Sequence, residues 1–343
     1  MSVEIIQGDA LALPLDDASV DLIVTSPPYF GLRSYQDGGE HYDGQIGDEP
    51  TPAEFVDALV AATREMVRVV KPSGSIWVNL GDKYAGGGNG PAGSESAIKG
   101  YGDRSRQPTA DERRAATGGV KSKSLIGVPW RYALRCIDDL GLILRAEVIW
   151  SKPNGLPESV TDRVRRSHET WFHFVTQPRY FSAVDEIREA YTAPPFRGQK
   201  THKAGQSGAT KNPVLSSLTS WDASEYEHNP LGKLPGSVWT IPTQPLIVPD
   251  ELGVDHFAAF PMEWPRRIIK GWSPEGGTVL DPFGGTGTTA LVAHALGRHG
   301  ISVDLSSDYC RLARWRTTDP GEIARARLQP KPKPVPTNQE VLW

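Results

Sequence analysis

The apolar run Val20-Asp-Leu-Ile-Val-Thr25 reads as a short buried strand, and it stops abruptly in Ser26-Pro27-Pro28-Tyr29. Proline has no N–H to give to a ladder and fixes φ, so two in succession force the chain out of the sheet at the strand's carboxyl end. That edge is where α/β proteins hold their ligands. The turn there offers a hydroxyl, a backbone carbonyl and an aromatic ring within four residues, a set suited to a planar, amino-bearing base. By itself the tetrapeptide reads more readily as a plain loop breaker, so the rest of the chain has to decide its meaning.

The second constraint lies far downstream, in Thr278-Val-Leu-Asp-Pro-Phe-Gly-Gly-Thr-Gly-Thr-Thr289 and the apolar helix pattern after it. A strand ending in an acid, a glycine turn that admits a ligand to the backbone, and a helix N-terminus form a site for a nucleotide-like molecule. A new strand follows, Gly300-Ile-Ser-Val-Asp304, and its terminal carboxylate falls 17 residues beyond Gly287, near the spacing at which a βαβ unit sets an acid against ribose hydroxyls. Gly284-Gly-Thr-Gly287 lacks the third glycine of the dinucleotide pattern, which makes a nicotinamide enzyme the weaker reading.

Seven segments have strand character: 3–6, 20–25, 75–80, 142–150, 169–175, 278–280 and 300–303. Helical periodicity predicts helices over 55–70, 128–140, 262–271, 286–296 and 306–316. Alternating strands and helices imply a mostly parallel sheet covered on both faces.

Together these residues resemble the amino-methylating DNA methyltransferases, in the permuted order in which the catalytic tetrapeptide precedes the cofactor loop. The resemblance is carried by Gly8-Asp9, Ser26-Pro-Pro-Tyr29, Arg68-Val-Val-Lys-Pro-Ser-Gly-Ser75, Trp150-Ser-Lys-Pro-Asn154, Ser167-His-Glu169, His256-Phe-Ala-Ala-Phe-Pro261 and Asp281-Pro-Phe-Gly-Gly-Thr-Gly-Thr-Thr289. It implies an α/β, Rossmann-like fold with seven strands, helices on both faces and a small irregular target-recognition region. It also implies S-adenosylmethionine as cofactor and double-stranded DNA as substrate. The expected organisation is a catalytic half over 1–187 with a mobile basic loop at 81–124, a recognition region over 188–245, a cofactor-binding half over 246–320 and an extended tail over 321–343.

Site roles follow from the resemblance, position by position. Ser26, Pro27, Pro28 and Tyr29 are the catalytic residues. Asp281 meets the methionine amino group, Phe283 and Gly285 line the turn, Thr288 suits the methionine carboxylate, Asp304 the ribose hydroxyls and Asp9 the adenine edge. His256 and Phe257 belong to a segment closing over the methionine end, although His256 reads equally well as a surface histidine. Lys152 and Asn154 either face the target base or cap a strand end, and His168 reads as structural. Arg197, Lys200, Lys203 and Lys211, with Trp221, Tyr226 and Trp239 after them, form the expected recognition surface, since cations seek phosphates while groove-borne side chains read bases.

An exocyclic amino nitrogen is a poor nucleophile because its lone pair is delocalised into the ring. Hydrogen bonds from its two protons to the Ser26 hydroxyl and the Pro27 carbonyl would localise that pair, with Tyr29 stacked on a base flipped out of the duplex. Serine at the first position resembles the N4-cytosine branch; aspartate is usual for N6-adenine, which stays open, as does a more remote RNA or protein amide-nitrogen methyltransferase.

Composition bounds the rest. At 343 residues with net charge −4, the chain is not basic throughout, so DNA contact requires a local basic face. Two distant cysteines, Cys136 and Cys310, and eight scattered histidines give neither a disulfide scaffold nor a metal-ligand cluster, so no metal is expected. The chain start shows no signal peptide and no apolar run reaches membrane-spanning length, so the expectation is a cytoplasmic protein without membrane contact. No nuclease segment is visible, so a restriction endonuclease partner would be a separate chain. Homodimerisation is left open.

Overall fold

The computed structural model describes residues 2–31, 45–85, 118–155, 157–191, 229–254 and 259–328, with the backbone of 36–37 and 40–41. Its strands are β1 (Val3–Gln7), β2 (Val20–Thr25), β3 (Gln36–Asp37), β4 (Glu40–His41), β5 (Val70–Leu80), β6 (Ile143–Ser151), β7 (His168–Val175), β8 (Val238–Thr240), β9 (Thr278–Asp281) and β10 (His299–Asp304). Its helices are α1 (Pro52–Val69), α2 (Val128–Leu140), α3 (Glu263–Trp272), α4 (Thr288–Ala295), α5 (Ser307–Thr318) and α6 (Pro320–Ala326).

Eight strands form one sheet in the order β1-β10-β9-β2-β5-β7-β6-β8, and β3 with β4 makes a separate short hairpin. From β1 to β5 every pairing is parallel; β7 is antiparallel to both its neighbours. All seven expected strands are present. The eighth, β8, pairs with β6 and lies within the stretch 188–245 that was expected to stand outside the sheet. It carries Trp239, which is 3% exposed and stacked on Trp264 with centroids 4.9 Å apart, so Trp239 is a core residue and not part of a recognition surface.

Thr51 caps α1, accepting from the Glu54 N–H at 3.3 Å, and Pro52 occupies the first turn, where a missing N–H does no harm. Phe55, Val56, Leu59, Val60 and Met66 then bury one stripe against the sheet. The turn Lys71–Gly74, expected to lie before the strand, instead sits within β5 as a bulge: Val20 pairs Val70, while Leu22 pairs Ser75. Successive side chains of β7 sort the two faces. Phe172 and Phe174 meet Trp130 and Tyr132 of α2, and Trp171 stacks on Trp264 of α3 at 4.9 Å, so α2 and α3 cover opposite faces.

Residues 184–236 form a second compact unit. Within it the Glu189 and Lys233 backbones exchange two hydrogen bonds of 2.9 Å, and Arg188 donates to the Gly232 carbonyl at 2.8 Å. Arg197, Lys200, Lys203, Lys211, Trp221 and Tyr226 lie outside the described residues, as does 86–117 of the expected basic loop. The tail expected to be extended from 321 begins instead as α6, capped by Asp319 accepting from the Glu322 N–H at 2.8 Å. Among the described residues no helix is long and apolar enough to cross a membrane.

Helix α4 lies so close to β10 that a Cβ on Gly300 would come within 2.5 Å of the Ala290 carbonyl oxygen and 2.7 Å of its Cα. Gly300→Ala therefore has to push the α4 backbone off the sheet, an overpacking strain of about 1–3 kcal/mol. Urea unfolding checks this, with a lower midpoint at unchanged slope as the expected result.

Candidate active site

The carboxyl ends of β1, β10, β9, β2 and β5 share one edge, and the turns that leave it bring the two sequence motifs together. Asp281 closes β9 and is 1% exposed. Its Oδ1 accepts from the Thr25 hydroxyl at 2.6 Å and the Phe283 N–H at 3.2 Å, and its Oδ2 from the Thr289 hydroxyl at 2.9 Å. Thr25 is the residue before Ser26, so the acid that opens the glycine loop is bonded directly to the strand that ends in the tetrapeptide.

The glycine loop fits only glycine at its tightest point. A Cβ on Gly284 would lie 1.8 Å from Ser302 Oγ, and Gly285 and Gly287 have φ of +48° and +71°. Gly285 N–H donates to Asp304 Oδ2 at 2.7 Å and Ser306 N–H to Oδ1 at 2.9 Å, which orients the Asp304 carboxylate beside the turn. Asp9 follows β1, the strand next to β10; it is exposed, and its Oδ1 accepts from Leu11 N–H at 2.8 Å. Gly287 is the N-cap of α4, so the first N–H groups of the helix face the loop, a setting suited to an anion. The Thr288 side chain is turned inward: Arg316 Nη1 donates to its hydroxyl at 2.6 Å and to that of Thr286 at 2.7 Å, while Arg316 Nε donates to Glu322 at 2.8 Å. Arg316 and Glu322 are both nearly fully buried, and this pair underpins the loop from α5 and α6.

On the other side, Ser26 Oγ donates to Asn79 Oδ1 at 3.3 Å. The Tyr29 hydroxyl is 2.6 Å from the same Asn79 oxygen and 2.8 Å from Glu169 Oε2, two acceptors sharing its single proton. Asn79 Nδ2 donates to the Thr170 carbonyl at 3.2 Å, fixing which way the amide points. Glu169 pairs with Lys152, whose ammonium also lies 4.1 Å from the Trp150 ring centroid. The Tyr29 ring packs so tightly on Gly81 that a Cβ there would fall 2.6 Å from Cε2. Asn154 is tied to the Thr243 backbone at 2.8 and 3.2 Å, the strand-capping alternative for that residue.

One edge thus gathers Ser26, Tyr29, Lys152, Asp281, Phe283, Gly285, Asp304 and Asp9. His256 and Phe257 lie outside the described residues. Sequence reasoning missed the roles of Thr25, Asn79, Glu169, Thr289, Arg316 and Glu322. Only Glu169 and Thr289 carried a signal, as the last residues of Ser167-His-Glu169 and of Asp281-Pro-Phe-Gly-Gly-Thr-Gly-Thr-Thr289. Among the described residues no three His, Cys, Asp or Glu side chains are grouped to hold a metal ion.

Burial raises the Asp281 carboxyl from 3.8 to about 6, against the opposing hydrogen bonds of Thr25 and Thr289. A carboxyl raised in the folded state holds its extra proton between about pH 4 and pH 6, so it contributes stability at the acid end that is lost as pH rises through that window. In paired thermal melts of wild type and Asp281→Asn, wild type is expected to lose ground to the variant from about pH 4 to 6. A pH-independent difference would contradict the assignment.

Comparison with known proteins gives the family and the fold. The family model for DNA methylases matches residues 20–314. Type II methyltransferase M.SmaI of Serratia marcescens is 35% identical over 317 residues, covering 92% of this chain and 90% of its own. Type II methyltransferase M.Cfr9I of Citrobacter freundii is 33% identical over 309 residues, covering 90% and 85%. Among solved structures, PvuII DNA methyltransferase, described as cytosine-N4-specific, has a TM-score of 0.60 at 20% identity over 96% of this chain and 92% of that one. The protein TTHA0409 of Thermus thermophilus, solved with S-adenosyl-L-methionine, has a TM-score of 0.50 at 22% identity over 95% and 93%. Those two likenesses speak for the fold. The family match runs from the strand that ends in Ser26–Tyr29 to the helix beyond Asp304, and the chain belongs to the DNA methylase family.

Proposed function

We propose that the chain transfers the methyl group of S-adenosylmethionine to the exocyclic N4 of a cytosine flipped out of duplex DNA. The observation that carries this reading is the 2.6 Å bond from Thr25 to Asp281, which joins the strand bearing Ser26 to the loop suited to a nucleoside cofactor. The cofactor supplies a sulfonium methyl, an electrophile that needs no further activation.

Asp304, already oriented by two backbone N–H groups, has oxygen lone pairs suited to ribose hydroxyls. Asp9, exposed one strand away, suits the adenine edge, and Phe283 with Gly285 lines the turn. The Thr288 hydroxyl is committed to Arg316, so the methionine carboxylate is assigned to the N–H groups at the start of α4, with Thr288 contributing through its backbone. Asp281 acts from behind the loop: its buried negative charge favours an ammonium on the methionine side. His256 and Phe257 keep their assignment to the closing segment.

The Ser26 hydroxyl gives its proton to Asn79, which leaves its oxygen lone pairs for one amino proton of the base; the Pro27 carbonyl takes the other. That pair of acceptors pulls the nitrogen lone pair out of the ring and toward the methyl, and the surplus amino proton passes to water once the new N–C bond replaces the sulfonium S–C bond. Tyr29, held through its hydroxyl by Asn79 and Glu169, presents a fixed ring for stacking, and Lys152 neutralises Glu169 so that the support carries no net charge. Prepaid alignment of nitrogen and methyl is worth roughly 7–11 kcal/mol at most, which outweighs the few kcal/mol of extruding the base. The neutral Ser26, where a carboxylate would mark adenine, favours cytosine.

Incubation with S-adenosylmethionine and duplex DNA, followed by digestion and mass spectrometry of nucleosides, tests this: N4-methylcytosine is expected. N6-methyladenine would overturn the choice of base, and transfer to RNA or protein alone would overturn DNA as substrate. Ser26→Ala is expected to lower kcat by about 10²–10³, the range for loss of one preorganised hydrogen-bonding group. Cofactor affinity by calorimetry should stay within about twofold, since the interaction forms only with the reacting base. Tyr29→Phe, which keeps the ring and removes its anchor, should lower kcat about tenfold with the same unchanged cofactor affinity.

A further inference from the structure

β6 runs with the central strands and β7 against them, so the connection from Ser151 to His168 emerges at the edge that carries Ser26–Tyr29. Its two feet are the Lys152–Glu169 pair beside Tyr29. Farther along it stands Arg163-Val164-Arg165-Arg166, where Val164 is 87% exposed, more than any other large apolar side chain among the described residues. Single exposed apolar residues are common on protein surfaces. This one is set apart by how firmly its neighbours are fixed. The Arg163 guanidinium lies 3.8 Å from the Tyr84 ring centroid and donates to Glu158 at 2.7 Å and to the Val164 carbonyl at 3.0 Å. Arg165 donates to the Gly155 carbonyl at 2.9 Å, Arg166 lies 3.9 Å from Asp82, and Asp162 is paired with Lys123 at 2.7 Å. Arg163 and Arg166 thus reach Tyr84 and Asp82 on the body of the protein, Arg165 ties the connection to itself through Gly155, and the valine among them is exposed.

We propose that Val164 is the wedge that enters the DNA stack beside the target base, with the exposed Arg165 next to it seated on a phosphate of the opened strand. The inference rests on the reading of the preceding subsection. A base turned into the Ser26 pocket leaves an unstacked gap, and an apolar side chain that fills it offsets the lost stacking. A rigid support spends little conformational entropy on entering the gap. The two acids of the segment, Glu158 and Asp162, are paired with Arg163 and Lys123, so Arg165 supplies the positive charge that a phosphate beside Val164 meets.

The test uses the full chain and a duplex carrying the site it methylates, found by mapping modified positions in treated DNA. Val164→Ala is expected to lose about tenfold in kcat/KM on the paired duplex and to regain wild-type behaviour within about threefold when the target base lies opposite an abasic position, which removes the pairing to be broken. Val164→Leu, which keeps the bulk, stays within about threefold of wild type on both duplexes. Equal losses of Val164→Ala on both duplexes, or none on the paired one, would overturn the wedge. Arg165→Gln should lower the slope of log affinity against log salt by about one, and an unchanged slope would overturn the phosphate contact. A wild-type chain that methylates no DNA would instead remove the reading on which the wedge rests, an outcome the unmutated control separates from the others.

Discussion

The buried Asp281 carboxylate is the joint on which this structure turns. It receives hydroxyls from Thr25 on β2 and Thr289 on α4, while β2 and β9 pair in register through Leu22 with Val279 and Ile23 with Leu280. Thr25 and Asp281 stand 256 residues apart in sequence, yet a sheet is closed by spatial adjacency, so the order of the two motifs along the chain does not matter. A carboxylate this deep survives only because its oxygens are satisfied. Its bonds therefore fix the distance between the tetrapeptide and the glycine loop, and every role assigned to either half depends on that distance.

The two halves are stiffened by different means. The cofactor side relies on close approach, with Gly284 against Ser302 and Gly300 against Ala290, and on the buried Arg316–Glu322 pair beneath the loop threonines. Removing one partner of such a pair strands a buried charge, a loss of about 3–5 kcal/mol. The catalytic side relies on a chain of polar contacts from Ser26 through Asn79, Tyr29 and Glu169 to Lys152, spread over β5, β6 and β7. The antiparallel β7 is what makes this possible, because it brings Glu169 at its start to the edge where the parallel strands end.

Period and punctuation made the seven strands, the five helices and both motif turns legible, because each is written in neighbouring residues. Contacts between residues distant in sequence leave no such trace. Asn79 sits in an apolar strand, Arg316 and Glu322 on two adjoining helices, and Thr25 reads as an ordinary strand residue until Asp281 is set beside it. β8 was hidden by its three-residue length, and Trp239 looked like a recognition residue because it follows the basic, aromatic stretch from Arg197 to Tyr226, while its own ring is buried among Trp264 and Trp77. The helix at 320–326 went unread because its cap, Asp319-Pro-Gly, also reads as a turn.

A structure determined with S-adenosylmethionine bound tests the central claim most directly, since the Thr25–Asp281 joint fixes where the cofactor must point. The sulfonium methyl should face the Ser26 hydroxyl and Pro27 carbonyl, with the ribose on Asp304 and the Thr25–Asp281 bond intact. A methyl group directed away from Ser26, or a cofactor seated elsewhere on the sheet edge, would contradict the account.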